Sequence, residues 1–339
     1  MRSFFEGWRR VGSAPAVLLG VYLLTLVLAL PLAITMRGLL RTHLGASLAA
    51  DTAARGVNYD WWQEFVSQTT GLGTTFSPTI IGFAATLDNI SSVLDGQREV
   101  APIAGAIAIY LAGWTFLAGG IIDRYARQRR TRTYGFFATS GGHFFGLLRL
   151  AVASGLVYWW LFAYVHRWLF LEWLVERTRA IGVEREVFLW RLSVYLLFGI
   201  ALVIVNVIFD YAKIRLVVED RRSALGALSA GMRFVWRHPG RVVTLYALNV
   251  VAFLVLLLLW ALVAPGARLP IGIVFVAGQL YLLVRLALKL QFLASQTALF
   301  QSSLAHAGYA AAPVVEWPES PSAELIRPAS PAAGPAASS

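Results

Sequence analysis

Asn206, Asp210, Asn249 and Gln279 stand within or at the edge of long apolar runs, where a polar side chain is costly and has to find a partner. Asn206 and Asp210 lie four residues apart, one above the other on a helix face. The four residues could line a polar pocket for a lipid or a small solute inside a helical bundle. Hydrogen bonding between helices is the competing use of the same residue types. It is favoured at this level, because no acidic residue reaches the middle of an apolar run to relay a proton or hold a cation. Arg285 is close enough to the end of its run to snorkel.

A second group is basic. Arg222, Arg233, Arg237 and Arg241 accompany the stretch SALGALSAGMRFVWR, in which Leu225, Leu228, Met232 and Val235 recur at helical spacing. An apolar stripe beside arginines is how a helix lies in a headgroup layer, and guanidinium donors match phosphate oxygens in pairs. The same charges also read as topological determinants that hold a loop on one side.

Other chemistries find little purchase. His43, His143, His166, His238 and His306 are scattered without metal-ligand spacing, and the absence of cysteine removes disulfides, thiolate sites and cysteine nucleophiles. Asp60 and Glu64 lie one turn apart beside Trp61 and Trp62, a pairing suited to acid–base or sugar-binding work and equally to a solvated helix face. There is no phosphate-cradling glycine loop, nucleophile elbow or dinucleotide fingerprint. No catalytic residue, metal or cofactor is therefore predicted.

The elements that carry these residues are membrane spans. The chain is 58% hydrophobic and 14% charged, with a mean hydropathy of +0.65, too apolar for an ordinary globular surface. Runs long enough to cross about 30 Å of hydrocarbon fall at about 14–36, 101–122, 147–170, 192–209, 242–263 and 271–293. A cleaved signal peptide is the competing reading of the basic residues 1–13 and the first run. The length of that run and the lack of a small-residue cleavage site count against it. Residues 37–100 are too apolar for a linker and read as an outer helical cap, with a helix starting at Ser77-Pro78 and running through Ile80, Phe83, Leu87, Ile90 and Leu94. Ala104, Ala108 and Ala112 offer a small-residue face for close helix contact. Thr133 to Gly146 reads as a short interfacial segment, Glu172 to Arg191 as an outer-surface helix, and the Ala/Pro/Ser-rich tail from 311 as disordered. The predicted fold is all-α: a polytopic bundle of six transmembrane helices with amphipathic interfacial helices and an outer cap.

Charge sets the orientation. Of the 29 Lys and Arg residues, 19 fall on the side that holds both termini and 10 on the other, which places both termini in the cytoplasm and the chain in the inner membrane. The net charge of +11 sits at span ends rather than on a soluble domain, so it points to anionic lipid headgroups and away from nucleic acid. A protein partner or a second copy of the chain stays open.

IIDRYARQR at 121–129 can be laid without gaps on VIFDYAKIR at 207–215, which suggests a parallel internal repeat. The alternative is that inner helix ends simply share Asp, Tyr and Arg. A span ending in Asp-Tyr-Ala-Lys, then VVEDRRSALGAL, then FVWRHPGRVV resembles a broad group of uncharacterised bacterial multi-span proteins. It is also similar to the membrane domain attached to some glycerophosphodiester phosphodiesterases. In those enzymes the chemistry sits on a separate barrel, so the resemblance implies a bundle of anchoring, scaffolding or lipid-related use and carries over no catalytic residue. Two functions follow: a non-enzymatic membrane scaffold or partner subunit with anionic-lipid contacts, or a carrier of a lipid or small solute.

Overall fold

A computed structural model describes residues 1–303 apart from 46, 48, 56–57, 78–83, 98–99, 130 and 266–268. Every regular element among the described residues is helical. In chain order these are α1 (Arg2–Gly12), α2 (Pro15–Leu44), α3 (Ala49–Arg55), α4 (Tyr59–Gln68), a 3₁₀ turn (Gly71–Thr75), α5 (Ala84–Leu94), α6 (Ala101–Arg127) and α7 (Thr133–Trp160). The last continues through π-helical turns at Leu161–His166 and Trp168–Trp173 into α8 (Leu174–Thr178). Then come α9 (Glu184–Val218), α10 (Ala224–Arg237), α11 (Pro239–Val263) and α12 (Ile271–Ser303). Among the described residues six helical stretches are long and apolar enough to cross a bilayer, and the protein is a multi-pass membrane protein.

Burial is concentrated at one end of the bundle, here termed basal, which holds α1, α10 and the ends of α6, α9 and α12. On α12, Leu286 to Phe300 is almost continuously buried, whereas Ile271, Ile273, Phe275, Val276 and Leu280 are exposed. Exposed apolar side chains of this kind suit lipid, which offers helices no hydrophobic reason to associate.

Close backbone approach builds the basal end. A Cβ on Gly231 of α10 would lie 2.8 Å from the backbone nitrogen of Ala212 and 3.2 Å from the Ile208 carbonyl on α9. Arg215 Nη1 on α9 donates to the Ala230 carbonyl (2.9 Å), and Ser223 caps α10 by accepting from the Gly226 amide (3.1 Å). α1 packs beneath α12 in the same way, where a Cβ on Gly7 would come within 2.9 Å of Ser295. Arg10 is buried there, donating to the Tyr125 carbonyl (3.0 Å) and to Gln301 Oε1 (2.8 Å). Burial holds its guanidinium below the ordinary arginine value while Glu6 pulls the other way. The charge is retained, because an arginine does not deprotonate in a protein.

Several local expectations are corrected. Residues 133–146 are not a separate interfacial segment, because no proline or cap interrupts the helix that runs on into the third span. The α9 helix does not end near 209. It continues to Val218, since Ile214, Leu216, Val217 and Val218 remain buried, and it turns only at Asp220, which adopts a left-handed φ of 48°. Glu172 to Arg191 is not one helix but the end of one span and the start of the next, separated at 179–183. The α10 helix buries Ala227, Ala230, Gly231 and Phe234, while Leu225 and Met232 of the predicted stripe face outward. Residues 1–13 form the docked helix α1 rather than a plain leader to the first span. Ala104, Ala108 and Ala112 are exposed; α6 meets α7 at Gly119 and Gly120 instead, against His143, Ser140 and Phe136. The 311–339 tail, Ile80, Phe83 and His306 lie outside the described residues.

The α9–α10 contact has a direct test. Gly231→Val should cost about 1–3 kcal/mol by overpacking against immovable backbone, read as a lowered unfolding temperature in detergent. Gly240→Ala, where nothing lies within 4 Å, should leave that temperature unchanged.

Candidate functional site

A cavity of about 740 Å³ lies between α6, α9, α11 and α12. Its floor is built around Asp210. The carboxylate accepts from Lys213 Nζ (3.0 Å) and Asn206 Nδ2 (3.2 Å) on its own helix, from Tyr246 Oη on α11 (2.7 Å), and from Gln296 Nε2 on α12 (3.2 Å). Gln296 Nε2 also donates to Tyr246 Oη (2.6 Å). Four donors from three helices leave this carboxylate satisfied, as a charge at that depth requires. Asn249 completes the floor, donating to Ser295 Oγ on α12 (3.2 Å) and to the Leu245 carbonyl (2.9 Å).

The rest of the wall is cationic and aromatic. Lys289 Nζ lies 3.8 Å from the Trp114 ring centroid and 4.7 Å from that of Tyr110, and it donates to Tyr110 Oη (2.8 Å). An ammonium over ring faces is attracted by their quadrupoles. Arg285 sits one turn away and, among the described residues, neither it nor Lys289 pairs with a carboxylate. The cavity therefore carries three cations, Lys213, Arg285 and Lys289, against the single carboxylate of Asp210. Such a site suits an anionic group.

The predicted polar residues are brought together in part. Asn206, Asp210 and Asn249 line the cavity, but Gln279 does not: its Oε1 accepts from Tyr22 Oη (2.8 Å), a bond between α2 and α12. Lys213, Tyr246, Lys289 and Gln296 were not singled out in the sequence. Three residues of the set, Arg285, Lys289 and Gln296, follow the helical spacing i, i+4, i+11, so one polar face was present to be read. Placing the sixth span's end at 293 hid it, because Gln296 then counted as a residue beyond the span.

The predicted basic residues form a separate surface. Arg222, Arg233, Arg237 and Arg241 are exposed at the basal end, and none of them has an ion-pair partner among the described residues. Arg222 shares a small groove of about 280 Å³ with Arg149 and Ser223. Between α2 and α6, Trp61 and Trp62 are turned inward: their indole N–H groups donate to His43 Nδ1 (3.0 Å) and to the Phe76 carbonyl (2.7 Å). Asp60 and Glu64 are exposed. Among the described residues no three His, Asp or Glu side chains converge as a metal site would need.

The two copies of the suspected repeat share local geometry. Asp123 pairs with Arg127 (2.6 Å) as Asp210 pairs with Lys213, and both Tyr125 and Tyr211 are buried. Each helix then ends in a left-handed residue, Gln128 or Asp220, before the next helix folds back on it. Only the second copy has a His-Pro-Gly break afterwards, with Pro239 opening α11.

Compared with known proteins, the chain matches no family model, no curated protein and no solved structure.

The Asp210 cluster predicts non-additive behaviour. Asp210→Leu strands Lys213 and three neutral donors, and should destabilise the protein by on the order of 3 kcal/mol. Adding Lys213→Met should recover part of that loss, seen as coupling in a double-mutant cycle of detergent unfolding temperatures.

Proposed function

We propose that this protein holds or carries a polar-headed solute or lipid in the cavity between α6, α9, α11 and α12. One observation supports the reading. Asp210 ion-pairs with Lys213, and among the described residues Arg285 and Lys289, which line the same space, make no ion pair. Charge in a spanning segment is expensive and marks ligand paths more often than packing. A neutral bridge, Asn249 to Ser295, already joins α11 to α12. In this reading the basal end faces the cytoplasm by its excess of basic residues, in the inner membrane of a bacterium. Helices α1 and α10 lie as amphipathic elements in the headgroup layer, and α3 to α5 cap the outer side. No catalytic step is assigned. The resemblance to phosphodiesterase-associated membrane domains agrees with lipid-related use and adds no residue to it.

The test is native mass spectrometry of the chain extracted in polymer discs. A ligand at fixed stoichiometry is expected, and Leu282→Trp, which fills the cavity without touching the Asp210 cluster, should remove it. Only exchangeable bulk lipid in both proteins would overturn the reading.

A second reading, a non-enzymatic scaffold or partner subunit with anionic-lipid contacts, draws on a different observation. Leu225, Met232 and Trp236 of α10 are exposed together with Arg233 and Arg237. If this face is the working surface, Arg233→Gln with Arg237→Gln should lower the ratio of phosphatidylglycerol to phosphatidylcholine retained from mixed vesicles. An unchanged ratio would count against it. The cavity variant should leave that ratio alone.

A further inference from the structure

The cavity has a neighbour. An apolar groove of about 820 Å³ runs along α9 and α11 from Val93 on α5 to Trp236 on α10. Asn206, Val250 and Phe292 line both spaces, so cavity and groove share one wall. Beside that wall α9 and α11 are bridged by the Tyr246–Asp210 hydrogen bond. Along α11 the groove extends from Pro239 to Val250, about 16 Å of helix at 1.5 Å per residue. That is about half of a hydrocarbon core some 30 Å thick, the depth of one leaflet. Tyr246 turns its hydroxyl towards Asp210 and Gln296, which leaves the groove its ring.

The two spaces have opposite chemistry across one gap: unbalanced cations inside, hydrocarbon-like walls outside. A small soluble anion would use the first and have no need of the second. A plain annular lipid would use the second and never meet the first. An amphiphile uses both.

We infer that the occupant is a phosphate-ester lipid, with its anionic headgroup passing between α9 and α11 to Arg285 and Lys289 and an acyl chain lying in the groove. The inference rests on the carrier reading and narrows it to a substrate class. Guanidinium and ammonium together suit a phosphate ester, which offers several acceptor oxygens around one charge. Lys213 is already engaged by Asp210 and serves as the floor of the site.

The experiment uses the full chain in discs of phosphatidylcholine with a minority of phosphatidylglycerol, examined by native mass spectrometry. Phosphatidylglycerol should be retained selectively, and Arg285→Gln with Lys289→Gln should weaken its retention about tenfold or more. Arg285→Lys with Lys289→Arg keeps the charge and should keep the lipid. Ala247→Phe narrows the groove without altering a charge; it should expel the lipid while glycerol 3-phosphate added in solution still binds. Unfolding temperatures of all variants guard against a fold defect, and the charge-retaining pair is the internal control. Lipid that survives both the neutralised pair and Ala247→Phe would overturn the inference. If glycerol 3-phosphate binds through Arg285 and Lys289 while no lipid is retained, the lipid assignment falls and the carrier reading stands. If neither is held, both fall.

Discussion

The carboxylate of Asp210 is the interaction on which the arrangement of α9, α11 and α12 depends. A lone carboxylate at membrane depth would be prohibitively costly, so its presence obliges the surrounding helices to supply donors. They do so from three directions: Asn206 and Lys213 along α9, Tyr246 from α11, and Gln296 from α12. In a soluble protein, side-chain packing would bring such helices together. Here lipid tails solvate the apolar faces as well as a neighbouring helix does, and polar bonds take over part of the role. The Tyr246–Asp210 hydrogen bond joins α9 to α11 beside the wall that cavity and groove share.

The same reasoning accounts for the lopsided burial. At the basal end small residues permit close contact: Gly231 of α10 against α9, Gly7 of α1 against α12, and Gly119 and Gly120 of α6 against α7. Dispersion and hydrogen bonds then accumulate over short distances. Towards the other end, α12 presents Ile271, Phe275 and Leu280 to the surroundings, and nothing draws the helices into one another. The cavity lies where these regimes meet, below loosely associated helices and above a packed floor.

Much of this was legible in the sequence. Apolar run length located six spans, and Ser223 and the His-Pro-Gly break gave both ends of α10. Asn206, Asp210 and Asn249 stand out in the sequence as polar residues needing partners, and the three line one cavity. What could not be read was pairing. Gln279 looked equivalent to Asn249, and only the packing of α2 against α12 assigns it to Tyr22. The α10 stripe misled because small residues, which carry little hydrophobic signal, form the buried face, so Ala227, Ala230 and Gly231 outcompeted Leu225 and Met232 for the interior. The helix ends were hidden because the apolar run of α9 stops at Asp210 and that of α12 at the polar Ser295 and Gln296, while both continue as helices beyond.

The clamp made by α1 imposes an order of events on biosynthesis. Arg10 bonds to Gln301, 291 residues later, and the Phe4 carbonyl accepts from Gln291 at a separation of 287. Helix α1 thus has its docking surface on α12, which is synthesised after every other described helix. Arg10 can meet the Tyr125 carbonyl once α6 is made, but it lacks Gln301 until α12 has followed. Loop closure over nearly the whole chain belongs at the end of folding, when intervening segments are already ordered and the entropy still to be lost is small. The amino-terminal helix therefore works as a latch, engaged only by a chain that has been completed through α12.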